Sequence, residues 1–146
     1  MNRYLELYLS YLDQLEDEIS SYKTETDVWR LAGSIKNSPG NLAMHICGNL
    51  KHNFGTIILG NEYVRNRDHE FSQKDTPKAV ILNEIELTRD VIREVFEFLK
   101  PADFIKPYSG DSYGEGQTIG SVIVRLSFHF AYHLGQINYH RRLVGL

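Results

Sequence analysis

Two histidines near the end of the chain have the spacing of metal ligands. His129 and His133 are four residues apart in a segment, 118–143, whose apolar residues recur at helical intervals. Residues four apart lie one above the other on a helix, with Cβ atoms about 5–6 Å apart, so two imidazoles there can reach one metal ion. The pair is equally compatible with core histidines that only form hydrogen bonds. A metal site therefore requires a third ligand from elsewhere in the chain.

An earlier helical segment offers two candidates for that third ligand. His45 and His52 are seven residues apart on a row that also carries Asn49. About 20° around the helix and about 10 Å along its axis separate the two histidines, so both can face the core but one metal cannot easily take both. The spacing alone leaves the choice open. Three neutral imidazoles with an open position are typical of a catalytic zinc site, and nickel, manganese and iron(II) are compatible with the same ligands.

The other polar groups near these histidines have weaker claims to a function. Asn49 and whichever of His45 and His52 is not a ligand could orient the metal's ligands or a substrate. A buried helix contact explains Asn49 equally well. Cys47 points about 200° away from His45, so we expect it to fill the core. The remaining histidines are expected at the surface: His69 in a charged segment and His140 beside Arg141 and Arg142.

Carboxylates are missing from the core-facing rows of the second and fourth helices. A hydrolase usually places Glu or Asp near a metal-bound water, so no general base is predicted and the catalytic residues stay unassigned. The same absence argues against a di-iron bundle, because such sites use Glu-x-x-His repeats.

Four amphipathic segments must position these side chains. Helices are predicted over 3–22, 39–60, 78–100 and 118–143, with Ser38 followed by Pro39 as one start signal and Thr118 as another. The connections are 22–27, an ordered loop rich in charge pairs over 61–77, and a glycine-rich loop over 104–116. Helices of this length on such connections predict one all-α domain over 1–146, a four-helix bundle.

Bulk composition narrows the classes of function. The chain has 146 residues, a formal net charge of −3 and one cysteine. The slight negative charge and the lack of a basic stripe argue against nucleic acid as a partner. No apolar run approaches the roughly 20 residues of a membrane helix, and charge comes too early for a signal peptide. These features predict a cytoplasmic protein without a membrane partner or an intrachain disulfide.

Two motifs resemble the DinB/YfiT-like superfamily of metal-binding four-helix bundles, in a largely uncharacterised branch. They are the segments 38–50, SPGNLAMHICGNL, and 129–137, HFAYHLGQI, and the segment 65–71 also resembles that branch. The resemblance implies a divalent metal held by His45, His129 and His133, and so favours His45 over His52. Members with known activity include metal-dependent transferases that use low-molecular-weight thiols, and some hydrolase-like or isomerase relatives.

These observations support one main hypothesis and two alternatives. The main one is a mononuclear metalloenzyme, a thiol-dependent transferase or hydrolase-like protein acting on a small molecule. The first alternative is a non-catalytic binding or sensory bundle whose histidines hold a metal or small ligand. The second is a purely structural role for the histidines. A homodimer is compatible with a bundle of this size.

Overall fold

Long helices form most of the molecule. A computed structural model describes residues 2–111 and 113–145. The four long helical segments are α1 (Asn2–Ser20), α3 (Pro39–Leu50) continued by a π-helix (Lys51–Leu59), α5 (Lys78–Phe98) and α6 (Ile119–Val144). Shorter elements connect them: α2 (Glu25–Trp29), α4 (Arg67–Ser72) and a 3-10 helix (Pro101–Ile105). The described residues contain no strand, only an isolated bridge between Pro107 and Thr118. The predicted all-α class is confirmed.

Each long helix packs against two others. α1 and α3 both contact α5 and α6, which places the core between the four. Apolar residues at helical spacing along α1 are fully buried there, among them Tyr8, Leu12, Leu15 and Ile19. The Tyr8 hydroxyl donates to the Ile123 carbonyl at 2.6 Å, which satisfies a polar group inside the core. None of the helices among the described residues combines the length and apolar composition needed to cross a membrane.

Both predicted helix starts are confirmed. The Ser38 side chain accepts a hydrogen bond from the Asn41 amide, with Pro39 in the first helical position. Thr118 caps α6 through the Ser121 amide. Asn41 also donates through Nδ2 to the Glu70 carbonyl at 3.0 Å and the Gln73 carbonyl at 2.9 Å. The start of α3 is thereby tied to α4.

Several connections differ from their prediction. The 22–27 connection contains the start of α2, whose first turn is capped by Thr24. The segment 61–77, predicted as a loop, contains α4, and of the charge pairs expected there the described residues show one, Arg65–Glu70. The helix predicted to run to Gly60 does so, but its last turns are π-helical and end at Gly60 with φ +76°. The loop over 104–116 begins with the last turn of the 3-10 helix, and Ser112 lies outside the described residues.

The prediction that His140 lies at the surface is wrong. Its side chain is buried, with the residue only 6% exposed. Nε2 lies 2.9 Å from the Arg30 carbonyl and therefore donates, so Nδ1 accepts from the Tyr22 hydroxyl at 2.9 Å. Burial lowers the pKa of His140 below its ordinary value. The sequence gives no sign of this, because both partners come from the distant N-terminal part of the chain.

The stability of the protein should depend on pH through His140. Because the folded state lowers its pKa, the contribution of neutral His140 to the free energy of unfolding is complete above pH 6.5 and is lost as the pH falls through the folded-state pKa. We expect His140→Gln to lower the free energy of unfolding by about 1–2 kcal/mol at about pH 7.5, and the difference from wild type to shrink at about pH 5. Urea denaturation at both pH values measures this difference.

His69→Gln is the matched control, because His69 is exposed on α4. It should match wild type at both pH values. A His140→Gln deficit that stays constant with pH would contradict the linkage.

Candidate metal centre

Three imidazoles converge where α3 packs against α6. His45 Nε2 lies 3.2 Å from His129 Nε2, and His133 Nε2 lies 3.1 Å from the same atom. The ligand atoms of all three lie within 4.8 Å of one another, close enough to bind one metal ion. His45 comes from α3, while His129 and His133 are one turn apart on α6. The structure thus brings together the three predicted ligands.

The protonation of these rings decides whether a cation fits among them. The Nδ1 atoms of His45 and His133 each face an oxygen, Glu70 Oε2 at 2.9 Å and Gln136 Oε1 at 2.7 Å. A proton on each Nδ1 satisfies these contacts and leaves both Nε2 lone pairs directed at His129 Nε2. A proton on His129 Nε2 can be donated to only one of these two nitrogens.

A divalent cation would satisfy all three nitrogens. Metal–nitrogen bonds of about 2.0–2.1 Å in tetrahedral geometry separate two nitrogens by about 3.3–3.4 Å, close to the separations found here. The donor set therefore fits a metal such as zinc.

Burial and neighbouring side chains keep His129 and His133 neutral. Burial, the largest cause, acts together with the neighbouring His133 and His45 and with Arg65 and Arg67 to lower the pKa of His129 to about 4. Burial also lowers the pKa of His133, with His45 contributing. Neutral imidazole is the form that binds metals, so both rings are in the ligand state near pH 7.

Sequence reasoning missed a buried carboxylate at this centre. Glu70 is only 5% exposed, and it comes from α4 rather than from a long helix. Its oxygens contact His45 Nδ1 and accept from Arg65 Nε at 2.7 Å and Nη2 at 2.9 Å. Burial raises the pKa of Glu70, but the hydrogen bonds from His45 and Arg65 outweigh it and lower the pKa overall. Both oxygens of the Glu70 carboxylate therefore accept hydrogen bonds.

Gly48 is the sequence signal that could have located this carboxylate. It lies on α3 and has no side chain, and a Cβ built there would be 2.1 Å from Glu70 Oε1. Only glycine leaves room for the carboxylate against the helix. The glycine predicts a close approach, but the partner comes from a different element.

The remaining candidates lie beside the cluster. His52 is half-buried in the first turn of the π-helix and is not one of the three clustered histidines. Asn49 is 8% exposed. Its Oδ1 is the one buried side-chain nitrogen or oxygen among the described residues without a hydrogen-bond partner. A role for Asn49 or His52 in holding a substrate stays a prediction. Cys47 is fully buried as expected, and burial raises its thiol pKa to about 12.

Fold and site together define an all-α protein with a three-histidine cluster suited to one metal ion. Over residues 3–145 the chain matches the model of a family described as "Protein of unknown function (DUF1572)". The chain belongs to that family. Comparison with curated proteins and with solved structures finds no match.

Displacing Glu70 should weaken metal binding without removing a ligand. Gly48→Ala places a methyl group against Glu70 Oε1 and should break its contact with His45. Loss of such an orienting partner typically lowers metal affinity by about 10–100-fold. Titration of the metal-free protein with zinc against a competing chelator measures the change.

The matched control is Gly135→Ala on α6, where an added Cβ meets nothing within 4 Å. It should bind zinc like wild type. Equal affinities for the two variants would show that Glu70 does not position His45.

Proposed function

We propose that the chain is a DinB-like four-helix bundle in which His45, His129 and His133 hold one divalent metal ion with an open coordination position, as a metal-dependent enzyme. The observation that carries the proposal is the convergence of His45 Nε2 and His133 Nε2 on His129 Nε2, at 3.2 Å and 3.1 Å. Three imidazoles suit zinc first, and nickel, manganese and iron(II) are compatible.

The state of Glu70 favours thiol chemistry over hydrolysis. A bound divalent metal supplies a Lewis acid that lowers the pKa of the group it binds. Hydrolysis also needs a base to take a proton from water. Glu70 is poorly suited to that task, because His45 and Arg65 occupy both of its oxygens. A thiol loses its proton more readily than water, so thiol transfer depends less on a general base supplied by the protein.

Neighbouring side chains orient the proposed metal ligands. Glu70 and Gln136 hold the rings of His45 and His133 so that Nε2 faces the centre. Phe71 lies against His45 with ring centroids 4.8 Å apart and limits access of water from that side. The nucleophile comes from the substrate, because buried Cys47 keeps its proton. The substrate class proposed is a low-molecular-weight thiol with an electrophilic small molecule.

A second candidate function follows from the same engaged carboxylate. A bundle that binds a metal or small ligand without turnover needs no base, and Glu70 suits it equally well. Such a binding or sensory protein would hold metal but leave thiols and electrophiles unchanged.

Metal analysis and turnover assays separate these proposals. We expect purified protein to hold close to one divalent ion per chain and to consume an electrophile panel only with an added thiol. His129→Ala should abolish both, since two ligands hold a metal far less tightly than three. His69→Ala, at an exposed histidine, should change neither.

The possible outcomes separate the enzyme from the binding or sensory protein. Wild-type protein without metal would remove the metal-dependent enzyme altogether. Bound metal without turnover of any thiol and electrophile pair would leave the binding or sensory protein.

A further inference from the structure

A groove begins at the metal centre and runs along α6. Its volume is about 680 Å³, within the range of about 300–1,000 Å³ typical of small-molecule sites. One wall is the outer face of α6, and the other is the segment that leads into α3. Its lining includes Ile35, Lys36, Leu42, His133, Gln136 and Tyr139.

The groove and the candidate metal centre share a wall residue. His133 belongs both to the groove and to the three-histidine cluster. Gln136, which accepts from His133 Nδ1, lines the groove beside it. Leu42 lies one turn before His45 on α3. A molecule in the groove would therefore lie against two of the helical turns that carry the histidines.

The walls indicate the chemistry of the occupant. Exposed apolar and aromatic side chains dominate: Tyr139 is 65% exposed and Ile35 is 42% exposed. Lys36 carries the one full charge among the described lining residues, and no carboxylate lines the groove. An apolar surface of this kind favours aromatic or alkyl groups, and the single cation favours an anion.

We infer that the groove binds the apolar, aromatic body of an anionic small-molecule substrate, with Lys36 at its anionic group and the reacting end directed at the histidine cluster. This inference rests on the proposed function, because it assigns a substrate class to the same metal centre. It goes beyond that function by assigning Tyr139, Ile35 and Lys36 to substrate recognition.

A matched pair of fluorescent probes tests the groove. Anilinonaphthalene sulfonate is an aromatic anion, and phenylnaphthylamine is its neutral counterpart. We expect Lys36→Gln to weaken binding of the sulfonate about two- to fivefold and to leave the neutral probe unchanged. Tyr139→Ala should weaken both probes about fivefold. The control Phe98→Ala removes a ring that is 60% exposed on α5, outside the groove, and should affect neither.

Paramagnetic relaxation tests whether the groove serves the metal centre. In protein loaded with Mn²⁺, the proton resonances of the bound sulfonate probe should broaden relative to protein loaded with Zn²⁺. His129→Ala, which loses the metal, should remove the broadening while the neutral probe still binds, because His129 does not line the groove.

These measurements distinguish the two ways of failing. If wild-type protein binds no metal, the proposed function fails, although the probe titrations still report on the groove. If metal binds but the probe is insensitive to Tyr139→Ala and Lys36→Gln, or is not broadened, the groove inference alone is overturned. Sedimentation gives a further overturning outcome: a dimer that excludes the probe and dissociates on Tyr139→Ala would show that a second copy covers the groove.

Discussion

The approach of three imidazole nitrogens is the constraint on which the centre of the structure depends. His129 Nε2 lies 3.1–3.2 Å from two other ring nitrogens whose lone pairs face it. Facing lone pairs repel one another, so other contacts must hold the rings in place. Glu70 and Gln136 fix two of the rings through Nδ1. Burial, which lowers the pKa of His129, keeps that ring neutral near pH 7.

Two short elements hold the start of α3 and so set the position of His45. Asn41 joins its first turn to the carbonyls of Glu70 and Gln73. Trp29, at the end of α2, lies against Gly40, where an added Cβ would be 2.7 Å from the indole. The indole nitrogen donates to the Thr76 carbonyl at 2.9 Å. The segments between the long helices are therefore part of the metal centre, because they deliver Glu70 and fix the helix that carries His45.

The buried charges are also the basis of the proposed chemistry. Burying a carboxylate and a guanidinium costs desolvation, which is offset only when each is paired and hydrogen-bonded. Glu70 and Arg65 meet this condition with two hydrogen bonds between them. The pairing that makes Glu70 stable in the interior also engages the oxygens that a general base would need. A centre built in this way suits a substrate that brings its own acidic group, which is the basis of the thiol proposal.

Local patterns in the sequence determined the helices, their caps and the histidine pair on α6. These patterns are the apolar spacing, Ser38 before Pro39, and Thr118. Each acts within a few residues, so it can be recognised without knowledge of the fold. Contacts between distant segments decided the rest. Tertiary packing selected His45 rather than His52, brought Glu70 to Gly48, and buried His140 against Tyr22 and Arg30. Periodicity shows which face of a helix is buried, but the partner that meets this face depends on how the connecting segments cross the bundle, and that is fixed only when the whole chain packs.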